Sequence, residues 1–169
     1  MRATPIAVSA LAALLALTAC DDSGGGDGKQ QESTACSIDK VSIEAGPASV
    51  APAAGDTGEV PVSVTNQSAT CTLDGFPTVR LVGADDSATL TVPPTEGAQA
   101  QKLTLSKGDS ASFTITYVRG ESSVDVRNLH VVLPGDSGTR TFRWTYGPVA
   151  DDGKGAPRAS VSAFQQAGD

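Results

Sequence analysis

The sequence predicts an all-β fold, an antiparallel β-sandwich carried behind a short N-terminal export segment. Three observations predict it. Apolar residues alternate with polar ones at period two in run after run, on β-branched and aromatic side chains, as in strands with one buried face. Clusters of Gly, Pro, Asp and Ser separate the runs, and the chain holds 18 Gly and 10 Pro, which fits many short elements better than long helices. No segment beyond the first 35 residues carries a helical period.

The N-terminus comes first. Arg2 supplies a positive start, and residues 6–17 form an apolar stretch. As a helix that stretch covers about 18 Å, against a hydrocarbon core of about 30 Å. It is too short to span a bilayer comfortably and reads as a signal peptide over residues 1–19, with an uncleaved membrane helix as the alternative. Leu17-Thr18-Ala19-Cys20 resembles a bacterial lipobox. The resemblance implies cleavage before Cys20 and acylation of its thiol, and several acyl chains anchor stably where one is marginal. Residues 20–35 are polar and rich in Gly and Ser, and they read as a flexible tether. The expectation is a protein lipid-anchored to the cell membrane and facing the extracytoplasmic side.

Charge narrows the partners. The chain has 12 Lys plus Arg against 19 Asp plus Glu; removing residues 1–19 takes away only Arg2 and leaves a formal charge of −8. That balance argues against nucleic acid and against electrostatic attachment to an anionic bilayer. Of three cysteines, lipidation of Cys20 leaves Cys36 and Cys71. Export makes a disulfide between them the default, with two buried free thiols as the alternative. A metal site has little to draw on, because the other soft ligands are His130 and Met1, and Met1 leaves with the signal peptide. No cofactor is expected.

The body, residues 36–165, reads as eight or nine strands, followed by a short tail at 166–169. The alternating pairs and triplets are Val41 and Ile43; Val60, Val62 and Val64; Val79 and Leu81; Leu90 and Val92; Leu103 and Leu105; Phe113, Ile115 and Tyr117; Leu129, Val131 and Leu133; and Phe142, Trp144 and Tyr146. A weaker last strand covers 159–164. Turn clusters lie at Gly46-Pro47, Gly55-Asp56, Asp85-Asp86-Ser87, Lys107-Gly108-Asp109 and residues 134–138. Strands of this number and spacing point to a sandwich of the immunoglobulin-like class. The antibody-type core signature is missing, since Trp144 follows both domain cysteines.

Several segments together carry a family resemblance. Cys36 opens the domain, and residues 62–66 read VSVTN. CTLDGFP follows at 71–77, then LSKGDSA at 105–111 and LHVVLP at 129–134. The chain resembles the domain of unknown function 4232, found in exported and lipid-anchored actinobacterial proteins, over about residues 36–164. The resemblance implies one disulfide here, since the second cysteine pair of many members is not present. It transfers no catalytic or binding residue.

A few segments could carry chemistry. Gly135-Asp136-Ser137-Gly138 resembles the GDSG around the nucleophile of trypsin-like serine proteases. A triad needs a His in reach of that Ser and a carboxylate behind it. The one His, His130, lies seven residues upstream on a strand, so a hairpin loop is the better reading. His130 itself should face outward, opposite to Leu129, Val131 and Leu133. Asn66-Gln67-Ser68 matches a glycosylation acceptor but reads as a turn cluster. If successive strands reverse direction, Asp56, Asp85, Asp86, Asp109 and Asp136 gather at the end far from the tether, with Lys107 opposing them. That arrangement would make an acidic rim for a cation or basic partner; the alternative is that each Asp serves its own turn. The functional expectation is a monomeric binding or interaction module for an envelope protein or glycan, with no catalytic residue assigned. A carboxylate-dependent envelope hydrolase or accessory domain is the alternative.

Overall fold

The structure, a computed structural model, describes residues 34–84, 88–121 and 123–167. Cys20 and the segments read as signal peptide and as most of the tether lie outside these residues, as do Asp85 and Asp86. The domain is an antiparallel β-sandwich. Its strands are β1 (Val41–Ala45), β2 (Thr57–Asn66), β3 (Cys71–Asp74), β4 (Thr78–Gly83), β5 (Thr89–Val92), β6 (Lys102–Leu105), β7 (Ser110–Val118), β8 (Ser123–Val124), β9 (Val126–Val132), β10 (Arg140–Arg143), β11 (Val149–Ala150), β12 (Ala159–Val161) and β13 (Gln165–Gln166). One sheet has the order β1-β2-β7-β12, with β13 also on β7; the other has the order β10-β9-β4-β5. Two short pairs, β3-β6 and β8-β11, complete the set.

Alternation places the core as the sequence predicts. Val60, Val62 and Val64 of β2 are fully buried, and Val41 and Ile43 of β1 nearly so. Phe113, Ile115 and Tyr117 of β7 belong to the same core as Val79 and Leu81 of β4 and Leu129 and Val131 of β9. Each inward side chain of this size contributes roughly 1.5–3 kcal/mol by leaving water. The ten-residue β2 pairs with β7 along its length, from Thr57 beside Val118 to Thr65 beside Ser110. That ladder is the spine of the domain.

The disulfide forms between Cys36 and Cys71. Around it the Cys36 N–H donates to the Thr72 carbonyl, and the Thr72 N–H donates to that of Thr34. The entering chain is therefore sewn to β3 by backbone bonds and by sulfur together. Asn66 closes the same end. Its side-chain nitrogen donates to the carbonyls of Ala69 and Leu105, each at 2.9 Å, and its oxygen accepts the Ser68 N–H at 3.0 Å. This buried, fully engaged amide is a turn lock, as the sequence predicts, and it is not accessible as a glycan acceptor in the folded domain.

The last aromatic strand differs from expectation. β10 stops at Arg143, and Trp144 and Tyr146 lie beyond it. Tyr117, Trp144 and Tyr146 instead meet edge to face, with centroids 5.1 and 4.9 Å apart. The indole N–H donates to the Gly147 carbonyl at 2.6 Å. The Tyr117 hydroxyl donates to the Tyr146 carbonyl at 2.8 Å and accepts the Ala51 N–H at 3.3 Å. Gly58 makes room for this ring, because a Cβ there would sit 2.5 Å from a Tyr117 ring carbon. The expected strand over 159–164 is also interrupted: β12 ends at Val161 and β13 begins at Gln165. Between them the Ser162 hydroxyl accepts the Thr114 N–H at 2.9 Å, so a side chain fills the missing rung.

Candidate functional site

The two ends of the spine carry different chemistry. At the Asn66 end of β2 lie the disulfide, the β3-β6 pair and the loops after β6 and β9. At the Thr57 end, Gly55 donates its N–H to the Arg119 carbonyl, and the Arg119 N–H donates to that of Asp56. The strand between spans roughly 30 Å at about 3.3 Å per residue.

A cleft of about 530 Å³ opens at the Thr57 end. Ala54 and Gly55 form one wall, Arg119, Gly120 and Glu121 continue from β7, and Ala150, Asp151, Gly153 and Arg158 close the other side. The backbone holds these residues on linked elements. Val118 donates its N–H to the Arg158 carbonyl, Arg158 to that of Ala150, and Gly120 to that of Pro148. Arg119 is fixed at its head as well, with Nη1 donating to the Ala51 carbonyl at 2.9 Å. Its guanidinium packs against Gly147, where a Cβ would lie 3.3 Å from Cζ.

The cleft holds charges of both signs that do not cancel one another. Among the described residues the ion pairs are Lys102–Asp74 and Arg127–Asp125. Arg119 and Arg158 are therefore not paired with Glu121 or Asp151. The turn beside the cleft is shaped by carboxylates: Asp151 accepts the Gly153 N–H at 2.6 Å, and Asp152 accepts those of Lys154 and Ala156. The N–H groups of Lys154 and Ala156 hold the Asp152 carboxyl below its ordinary range. Two guanidinium groups on hydrogen-bonded backbone stand beside glycines in a polar surface open to solvent. Sequence reasoning missed these four charged residues. They come from distant segments, and the signal available was the glycine clustering around them at Arg119-Gly120-Glu121 and residues 151–155.

Among the described residues the acids expected to form a rim do not gather at one end. Asp56 lies at the cleft end, where its carboxylate accepts the Ala53 N–H at 3.0 Å. Asp109 and Asp136 lie at the opposite end. The Asp109 carbonyl accepts the Asn66 N–H, and its carboxylate accepts that of Ser106 at 2.8 Å. Asp136 accepts the N–H of Ile38 at 2.6 Å, two residues from Cys36, as well as those of Ser137 and Gly138. The count of reversals fails because β5 and β6 do not pair with each other. β5 pairs with β4 and β6 with β3, and Leu105 at the end of β6 is beside Cys71. The described acids thus serve their own turns. Asp136 does more, tying the β9-β10 loop to the entering chain, and the Ile38 N–H foremost holds its carboxyl below the ordinary value.

The remaining sequence candidates fall into place around this. Ser137 sits in the turn that Asp136 caps. His130 is a half-buried residue on β9, across from Arg80 and Thr141. Among the described residues no three His, Cys, Asp or Glu side chains are grouped so as to hold a metal ion.

With the geometry in view, comparison with known families gives one match: the model described as Domain of unknown function (DUF4232) covers residues 36–165. Comparisons with curated proteins and with solved structures find no match.

Proposed function

The chain belongs to this family of domains of unknown function, and we propose that it is a lipid-anchored, extracytoplasmic binding module of the cell envelope. The observation that carries the reading is the position of the charged cleft at the end of β2 opposite the disulfide. A chain acylated at Cys20 enters the sandwich at Cys36. The end bearing Arg119 and Arg158 is then the end farthest from the point of entry, free to meet an envelope protein or glycan. The bridge between Cys36 and Cys71 supports the same placement, since disulfides persist in oxidising compartments. The domain works as a monomer, with the membrane reached through lipid alone.

Binding in this cleft would use its fixed charges. Arg119 is already oriented by the Ala51 carbonyl, so little side-chain entropy is lost when its free N–H groups meet an acceptor. Arg158 is exposed and completes the recognition from β12's side. The test has two arms. Cys20→Ser should move the protein out of the detergent phase. Capture of envelope components by the wild-type full chain should fall when Arg158→Glu reverses one charge of the cleft. Unchanged partitioning would remove the anchor from the reading, and an unchanged set of captured components would remove the cleft.

A further inference from the structure

The outer faces of the two sheets carry opposite charge. On the β1-β2-β7 side the outward positions include Glu44 and Glu59, and the others in the ladder are uncharged, such as Ser63 beside Ser112 and Pro61 beside Thr114. On the β10-β9-β4-β5 side the register aligns Thr91, Arg80, His130 and Thr141 in one row across all four strands. Arg143 stands in the next row, beside Asn128. Among the described residues no acid occupies an outward position of this sheet. Arg127 stands at its margin, already engaged by Asp125 at 3.3 Å. Arg80 and Arg143 are exposed, and among the described residues neither is in an ion pair. In a chain with 19 acids against 12 bases, a four-stranded face whose described outward residues include two guanidinium groups and no carboxylate is a local reversal of the molecule's charge.

We propose that this face binds a thin linear polyanion bearing phosphate groups. Directly opposed residues on one face stand about 5 Å apart, so Arg80 and His130 present their nitrogens to one anionic group. Arg143 lies two strands over and two residues along from Arg80, roughly 12 Å away in backbone terms, and takes a second. Guanidinium donors match phosphate oxygens in pairs, and the hydroxyls of Thr91 and Thr141 flank them in the same row. The face has no aromatic ring on which a base or sugar could stack, which separates it from a nucleic-acid or lectin surface. A narrow chain can follow the row and avoid the negative remainder of the domain. A planar anionic membrane cannot, since the net charge would meet it with repulsion.

Fluorescently labelled inorganic polyphosphate is the probe, titrated into the full chain in detergent at low and high salt. Binding should be present at low salt, weaken as salt rises, and exceed that of orthophosphate. Arg80→Gln with Arg143→Gln should weaken it roughly tenfold or more, equivalent to one decade in Kd. Arg80→Lys with Arg143→Lys should bind more tightly than the glutamine pair but less tightly than wild type, because charge is kept and the paired donors are lost, and Glu44→Gln with Glu59→Gln should not weaken it. Thermal melts of each variant check that the fold survives. No binding at low salt, or equal binding by the glutamine pair, overturns the proposal. Equal arginine-dependent binding of polyglutamate, or of vesicles containing anionic lipid, overturns the assignment to a phosphate chain.

Discussion

Reduction of the Cys36–Cys71 bridge should lower stability by about 4 kcal/mol without dissolving the sheets. The two cysteines are 35 residues apart in sequence. In the chain-entropy account, closing a loop of that size costs the unfolded state about 13 cal/mol/K, or close to 4 kcal/mol at 25 °C. For a domain with an ordinary stability of about 5–15 kcal/mol this is a large share. The sheets should survive because the bridge secures the entering chain and β3, whereas the β2-β7 ladder and the facing β4-β9 ladder do not pass through it. Trp144 is the single tryptophan and is buried, so its fluorescence reports unfolding directly. Urea titrations with and without reductant should show one cooperative transition each, the midpoint moving down by about 2 M. Thermal midpoints should fall by about 10–20 °C. Far-ultraviolet circular dichroism before the transition should be unchanged. A midpoint shift worth less than about 1 kcal/mol, or loss of the strand spectrum on reduction, would show that the bridge does not stabilise the domain in this way.

Three further expectations rest on single contacts. Gly58→Ala should cost about 2–4 kcal/mol, because its Cβ would meet the Tyr117 ring at 2.5 Å and push it off both hydrogen-bond partners; a urea melt within 1 kcal/mol of wild type would contradict this. Tyr117→Phe keeps the packing but strands the Ala51 N–H and Tyr146 carbonyl, and should cost about 1–3 kcal/mol in the same assay. Asp136 has its carboxyl held below the ordinary 3.8 by the Ile38 N–H foremost, with Gly138 and Ser137. A folded pKa below the unfolded one gives stability that is present above about pH 4 and lost as pH falls through the folded value. Asp136→Asn should therefore be less stable than wild type at neutral pH, and the difference should narrow in melts taken from pH 4 downward; a gap that stays constant would show that the carboxylate charge is not the cause.

Much of this fold is legible in the sequence, and the reason is the inward alternation of a few long strands. Val60, Val62 and Val64, then Phe113, Ile115 and Tyr117, show period two because each strand has one buried face. β3 hides for the opposite reason. Cys71, Thr72 and Leu73 are all buried, so no alternation marks them. β8 and β11 are two residues each, too short for any period. Trp144 and Tyr146 mislead because aromatic residues two apart look like a strand, whereas here they stack beyond its end. The disulfide was readable from the cysteine count together with the expectation of export. The cleft was not, because Arg119 and Arg158 are 39 positions apart in a chain whose strand reversals cannot be counted without knowing which strands pair. The same counting fault placed Asp109 and Asp136 at the wrong end.

Attachment at one end and binding at the other can be separated in cells producing the full chain with a photo-crosslinking residue at exposed Ala54 or at half-buried Ser63. Ala54 lies on the wall of the cleft, and Ser63 lies mid-strand on the outer face of the β1-β2-β7 sheet. A discrete envelope adduct should form from Ala54 and disappear when Arg158→Glu is added, and no such adduct should form from Ser63. The same adducts from both positions, or none from Ala54, would contradict this arrangement.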